Sequence, residues 1–334
     1  MATLHKEYNT FYDKIKLTDN RKDDLLGSRK SLREKIEKWF KENKSDRLQP
    51  KFKGQGSFEM DTTVNPIVET KDGETFRKYD LDDGVYFYEK EGEDNRENID
   101  TWHNWVYEAV KDHTGEDTIR KNTCVRVVFA DGHHIDLPIY YKDGDTPELA
   151  HRSVLVGWKE SDPVEFTTWF QKNSTKQKKR LVRYIKSWKD FRQDKNSNLK
   201  LPSGFALTIL VINNYVKNDN DDVAFRETIR NIYNSLSAYN GFKCLRPTIP
   251  EDENVFDDYS DTRKNDFLTA LNSLLTDCDR AKDESNFKKA SEYLRDNQFG
   301  DRFPKGDDTD EERQKKAMSS TLAGTYIQPK PYGY

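Results

Sequence analysis

Cysteine is scarce. Cys124, Cys244 and Cys278 are the only three in 334 residues, and they lie far apart. That spacing excludes a disulfide framework and a zinc ribbon, and it fits a reducing compartment. Long apolar runs are missing too. Nothing approaches 18 consecutive apolar residues, so no helix is expected to span a membrane. The opening MATLHKEYNTFYDKIK has no apolar signal core, which makes the cytoplasm the expected location. There is no basic excess. Lys and Arg number 56 against 60 Asp and Glu, a net charge of −4. A dedicated duplex-DNA binder is usually basic, so no nucleic-acid partner is expected. Hydrophobic residues stand at only 34% and charged ones at 35%. Aromatics nevertheless reach 12%, and a disordered chain lacks such rings. The chain is folded, with a highly charged surface.

The order of elements reads as α+β. Tyr8, Phe11, Tyr12 and Ile15 recur at helical spacing. A longer helix follows, marked by Leu25, Leu32, Ile36, Trp39 and Phe40. Asp80 to Tyr88 reads as a strand. Ile99, Trp102, Val106 and Val110 share a helix face. Cys124–Phe129 and His133–Tyr140 flank Asp131-Gly132, a tight-hairpin signal. From about residue 164 onward the pattern is helical. Three segments are expected: a mixed α/β lobe with its N-terminal helices over 1–163, a helical lobe over 164–305, and a loose tail over 306–334.

The stretch Tyr79-Asp80-Leu81-Asp82-Asp83-Gly84 carries the chemistry. Strand side chains alternate, so Asp80 and Asp82 point the same way and can share divalent cations. Alone, the pair says little. With so many acids, an acidic-x-acidic triplet arises by chance about 11 times. Two further features add weight. Gly56-Ser57 opens a short segment and offers N–H groups and a hydroxyl to phosphate. Asp136 lies in a strand between Ile135 and Leu137, where a carboxylate is costly unless paired, metal-bound or facing a cleft. Gly-Ser, then Asp-x-Asp, then a third Asp on a neighbouring strand is the metal-site layout of polymerase-β-like nucleotidyltransferases.

The runs GQGSFEMDTTVNP, YDLDDGVYF and HHIDLPIYY resemble the bacterial cGAS/DncV-like nucleotidyltransferases, the CD-NTases of CBASS anti-phage signalling. RLVRYIKSWKDF, LPSGFALTILV and ASEYLRDNQFGDRFP extend the resemblance over roughly residues 20 to 305. It implies a polymerase-β-like lobe with a mixed sheet and a helical lobe closing the nucleotide pocket. It also implies Asp80, Asp82 and Asp136 as catalytic, metal-binding residues, with Asp136 helping to deprotonate the attacking ribose hydroxyl. Gln55, Gly56 and Ser57 would meet the donor triphosphate. Lys186 would reach phosphates from the helical lobe, and Ser203 would contact the same nucleotide. The implied cofactor is Mg²⁺, with Mn²⁺ as an alternative. The implied product is a cyclic oligonucleotide made from nucleoside triphosphates, here a purine cyclic dinucleotide such as c-di-GMP or cGAMP. The implied partner is an effector protein that binds the product. The enzyme is expected to be a monomer. A linear nucleotidyltransferase that tails RNA or modifies a protein, and a non-catalytic nucleotide-binding scaffold, are the competing functions.

Weaker groups have plainer readings. Lys179, Arg183 and Lys186 share one helix face, and Lys179 and Arg183 are expected to be a solvated stripe. His133 and His134 are expected to be exposed beside the hairpin turn, although His134 shares a strand face with Asp136. Arg126 lies across the hairpin from Asp136, either as its charge partner or as a nucleotide contact. Cys124 and Cys278 should be buried and inert, and Trp102 and Trp105 should be core.

Overall fold

The computed structural model describes residues 3–67, 69–71, 74–76, 79–90 and 95–310. The last 24 residues of the expected tail lie outside them. Two helices open the chain, α1 (His5–Ile15) and α2 (Asp19–Asn43). Strand β1 (Lys51–Gln55) runs straight into the short helix α3 (Gly56–Glu59). A small hairpin, β2 (Glu69–Lys71) with β3 (Glu74–Phe76), precedes β4 (Asp80–Tyr88). Helix α4 (Ile99–Val110) leads to β5 (Ile119–Arg120), β6 (Cys124–Val128), β7 (His134–Asp143), β8 (Thr146–His151) and β9 (Gly157–Glu160). The remainder is helical: α5 (Pro163–Asn173), α6 (Lys176–Lys195), α7 (Gly204–Asn214), α8 (Asp221–Ser237), α9 (Asp261–Asp283) and α10 (Phe287–Leu294). A π-helical turn (Arg295–Phe299) follows α10.

The seven-stranded sheet runs β1-β4-β7-β6-β5, with β8 and β9 continuing from the far half of β7. Only β4 and β7 are parallel; the other pairs are antiparallel. Period-2 alternation divides β4 cleanly. Leu81, Val85 and Phe87 enter a core with α2 and α4, where Trp102 stacks on Phe87 at 3.8 Å between ring centroids. Asp80, Asp82, Gly84 and Tyr86 take the other face. Gly84 lacks a Cβ there because one would come within 2.6 Å of Tyr86 and 2.7 Å of Gln55.

Local chemistry explains the helix starts. Asp162 caps α5 by accepting from Val164 and Glu165, with Pro163 at the first helical position. Thr175, Ser203, Ser260 and Asn286 cap α6, α7, α9 and α10.

Two expectations need correction, and the sheet has two strands that the pattern does not announce. Helix α1, assigned from sequence order to the first lobe, packs into the helical core instead. Tyr8 and Phe11 lie among Tyr184, Phe299 and Phe303, and the Leu4 amide donates to Asp222 at 2.9 Å. Strands β8 and β9 are additions to the sheet. Their apolar residues Val154 and Leu155 sit in the connecting turn, 99% and 97% exposed. The region 239–260 is irregular rather than helical.

Candidate active site

Strand register assembles the site. Gln55 pairs with Asp82, Asp82 with Asp136, and Asp136 with Arg126, so four consecutive strands carry these side chains in one row. Asp80 lies beside His134 one step along. Strand side chains two residues apart share a face, so Asp80 joins Asp82, and His134 joins Asp136, on one face of the sheet; Asp80 and Asp82 line the cleft. The ligand atoms of Asp80, His134 and Asp136 lie within 4.8 Å of one another, close enough to share a metal ion. Asp82 borders this group by register. His133 and His134 are buried rather than exposed: His133 stacks on Phe129 at 4.2 Å between ring centroids, and His134 is the first residue of β7.

The carboxylates differ in charge environment. Burial pushes the Asp82 carboxyl up to about 8, with Asp80 and then Asp136 adding to the rise. Burial would raise Asp136 as well, but its Arg126 hydrogen bonds and the charges of Arg126 and Lys121 hold it below the usual carboxylate range. Arg126 donates from Nε and Nη2 to the two Asp136 oxygens at 2.6 and 2.7 Å. Lys121 Nζ stands 3.7 Å from the same group. Such a surplus of carboxylate at Asp80 and Asp82, with no ion-pair partner for either among the described residues, is an environment that a divalent cation would relieve. The donor set is mostly hard oxygen with one imidazole, so the residues present fit such an ion.

The β1–α3 junction supplies the other wall. Gln55 is buried; its Nε2 donates to the Tyr140 hydroxyl at 3.3 Å, and its Oε1 has no hydrogen-bond partner among the described residues. Gly56 has φ +72°, and a Cβ there would collide with the Asp82 carboxylate. Both facts call for glycine at this position. Ser57 Oγ is hydrogen-bonded to Thr63 Oγ1 at 3.0 Å.

The helical lobe faces this wall across a cleft of about 820 Å³, lined by Gln55, Gly56, Ser57, Asp80, Asp82 and Lys186 among others. Lys186 Nζ donates to Thr62 Oγ1 at 3.1 Å. Burial draws its ammonium down to about 8, against the pull of Asp80. Gly204 leaves room for its stem: a Cβ there would stand 3.2 Å from Lys186 Cε. Ser203 is exposed just outside and caps α7, accepting from the Ala206 amide at 3.3 Å.

The rest of the basic face of α6 is not the solvated stripe that its spacing predicts. Arg183 is buried and donates to Asp61 Oδ1 at 2.7 Å and to the Thr63 carbonyl at 3.2 Å. Lys179 lies 3.8 Å from Asp61. That face holds the turn after α3 against the helical lobe, a role invisible in spacing because its partners come from 120 residues away. Cys124 and Cys278 are buried as expected, their thiols pushed up to about 12 by desolvation.

Residues 50–140 match the family described as cyclic GMP-AMP synthase DncV-like, nucleotidyltransferase domain. The chain carries a DncV-like nucleotidyltransferase domain. Its boundaries enclose β1, α3, β4 and the first part of β7, and with them Gln55, Asp80, Asp82 and Asp136. A cyclic GMP-AMP synthase of Escherichia albertii is 28% identical over 193 residues, which is 55% of this chain and 41% of that relative. The match thus spans less than half of the relative's length. Solved structures share the fold of the DncV-like domain and of the lobe behind it. The cyclic AMP-GMP synthase DncV of Vibrio cholerae, a prokaryotic cGAS homolog, superposes with a TM-score of 0.73 at 19% identity, covering 90% of this chain and 97% of that one. Its complex with the linear intermediate 5′ pppA(3′,5′)pG gives 0.75 at 20%, covering 90% and 96%. Its complex with nonhydrolyzable GTP gives 0.76 at 20%, covering 90% and 97%. The α+β class, with a polymerase-β-like lobe and a helical lobe, follows from these likenesses.

Proposed function

We propose that this protein is a metal-dependent nucleotidyltransferase that joins nucleoside triphosphates into a cyclic dinucleotide with release of pyrophosphate. One observation carries the reading: the row Gln55–Asp82–Asp136 on three adjacent strands, with Gly56 and Ser57 at one end and Lys186 across the cleft. We read the product as a purine cyclic dinucleotide, c-di-GMP or cGAMP; the relatives named as cyclic GMP-AMP synthases favour the second.

In this reading Asp80, Asp82 and Asp136 hold Mg²⁺ or Mn²⁺, with His134 beside them. Bound there, the cations would neutralise the α-phosphate and make the attacking hydroxyl more acidic. The residues do the rest. Gly56 and Ser57 present an N–H and a hydroxyl to the donor triphosphate, and Gln55 orients that turn from beneath. Lys186 donates to its phosphates from the opposite lobe. A ribose hydroxyl of the acceptor attacks the α-phosphorus and its proton passes to Asp136. The new O–P bond forms as the bond to the β-phosphate oxygen breaks, and pyrophosphate leaves. A second attack of the same kind closes the ring. The cleft lies between the sheet and the helical lobe that α1 joins, and that lobe would close over the nucleotides. No described helix is long and apolar enough to cross a membrane. A cytoplasmic role in anti-phage signalling through a product-binding effector completes the proposal.

The test is incubation with all four labelled triphosphates and Mg²⁺ or Mn²⁺, phosphatase treatment, then mass spectrometry. A phosphatase-resistant cyclic purine dinucleotide is the expected result. Ladders on added RNA would replace this reading with linear transfer. Untouched triphosphates across activating conditions would leave a nucleotide-binding scaffold.

A further inference from the structure

We propose that Arg126 is a built-in counter-ion that keeps divalent cations off Asp136 until a nucleotide draws its guanidinium away, so that nucleotide enters first and cation second. The inference rests on the nucleotidyltransferase reading of the cleft and concerns an order of events that the reading leaves open.

The sheet itself sets the pair. Arg126 and Asp136 are register partners on β6 and β7, and the fork of one meets both oxygens of the other at 2.6 and 2.7 Å. A cation at Asp136 would therefore sit beside a fixed positive charge, with Lys121 adding a second at 3.7 Å. Each carboxylate oxygen retains a lone pair, so coordination stays geometrically open but electrostatically opposed. Nothing else ties the guanidinium down: Asp136 is its only hydrogen-bond partner among the described residues. The side chain keeps 21% exposure. A guanidinium fork accepts a phosphate as readily as a carboxylate. A nucleotide seated beside Asp136 thus offers Arg126 an equivalent partner, and the transfer frees Asp136 for the cation. Cation and nucleotide binding are then coupled through one side chain, and the coupling must be reciprocal.

The test titrates Mn²⁺ by electron paramagnetic resonance on wild type and Arg126→Gln, with and without a nonhydrolyzable GTP analogue, against a background of the analogue alone. Without nucleotide the variant should bind Mn²⁺ about tenfold more tightly. With the analogue present that gap should vanish, and in chelator the variant should bind the analogue more weakly than wild type. Equal Mn²⁺ affinities without nucleotide would overturn the proposal. So would a gap that persists when the analogue is bound, which would mean that Arg126 stays on Asp136. Neither readout needs turnover. A wild-type protein that binds no analogue at all would sink the nucleotidyltransferase reading itself, whereas a persistent gap sinks only the order of binding. Should Arg126→Gln fail to fold, Arg126→Lys carries the same test: it keeps the charge but loses the fork, so a gain of about two- to threefold is expected without nucleotide, and it should also disappear with the analogue.

Discussion

Asp82 and Asp83 are neighbours on one strand with opposite fates. Asp83 points into the core of the first lobe, its side chain 1% exposed, and is held by Arg33 of α2 through Nε at 2.7 Å and through Nη2. Asp82 points into the cleft, where burial and two other carboxylates push it up to about 8 and it has no ion-pair partner among the described residues. One face of β4 satisfies its charge; the other leaves it waiting. A fold that buries an unpaired carboxylate gives up stability, and a bound ion or substrate is the usual compensation.

The sharpest way to break that comparison is to neutralise each residue in turn. Asp82→Asn should cut product formation by about 10³-fold or more, the scale on which lost charge stabilisation of a transition state is felt. Its melting temperature should hold or rise, because a repulsive charge has gone. The sign of the pH dependence follows. The Asp82 pKa is raised above its unfolded value, so between about 4 and 8 the folded state binds more protons than the unfolded one, and stability falls as pH rises through that window. Melts in chelator from pH 5 to 8 should show this decline, which Asp82→Asn or added Mn²⁺ should flatten. A decline that survives in the variant would remove Asp82 as its source.

Asp83→Ala should do the reverse. It strands a largely buried guanidinium and should cost about 3 kcal/mol in denaturant unfolding. Whatever activity is lost should return on cooling or on adding a stabilising osmolyte. A variant that stays fully stable yet inactive would place Asp83 in the chemistry instead.

Lys186 sharpens the comparison from the opposite lobe. Desolvation has pulled its ammonium down to about 8, so the unliganded lysine loses its charge as pH rises through that value. Affinity for a nonhydrolyzable triphosphate should therefore fall above pH 8 in wild type. Lys186→Met should bind at least about tenfold more weakly at neutral pH and show no such fall. Equal affinities for the two proteins would leave the lysine as a tether for Thr62 alone.

The strand and its two faces were legible because a period of two needs only local sequence, and the Asp131-Gly132 turn placed β6 opposite β7 with Arg126 facing Asp136. What stayed hidden needed distant partners. Helix α1 reads as amphipathic, but nothing in its own residues says that its apolar face belongs to Tyr184 and Phe299 rather than to the adjoining sheet. Arg183 reads as a solvated charge until Asp61 is brought to it. His134 beside a turn reads as exposed until β6 and β4 close on either side of β7. Strands β8 and β9 are held by backbone pairing, while the apolar Val154-Leu155 pair sits in their turn rather than in a strand.

Ser203 is where family resemblance and local structure make different statements, and the expected effect there is the smallest. The resemblance makes it a nucleotide contact; the structure shows it capping α7, at 3.3 Å from the Ala206 amide. Ser203→Ala should cost about 1 kcal/mol of stability through the lost cap whichever statement holds, so it cannot choose between them. Ser203→Asp can. Aspartate caps as well as serine, and its charge suits a helix N-terminus, so unfolding should be unchanged. The same charge would repel a phosphate within reach. A stable Ser203→Asp protein with weakened triphosphate affinity makes the serine a substrate contact that also caps. One with wild-type affinity confines its role to starting the helix, and leaves the cleft to Lys186 and the carboxylates of β4 and β7.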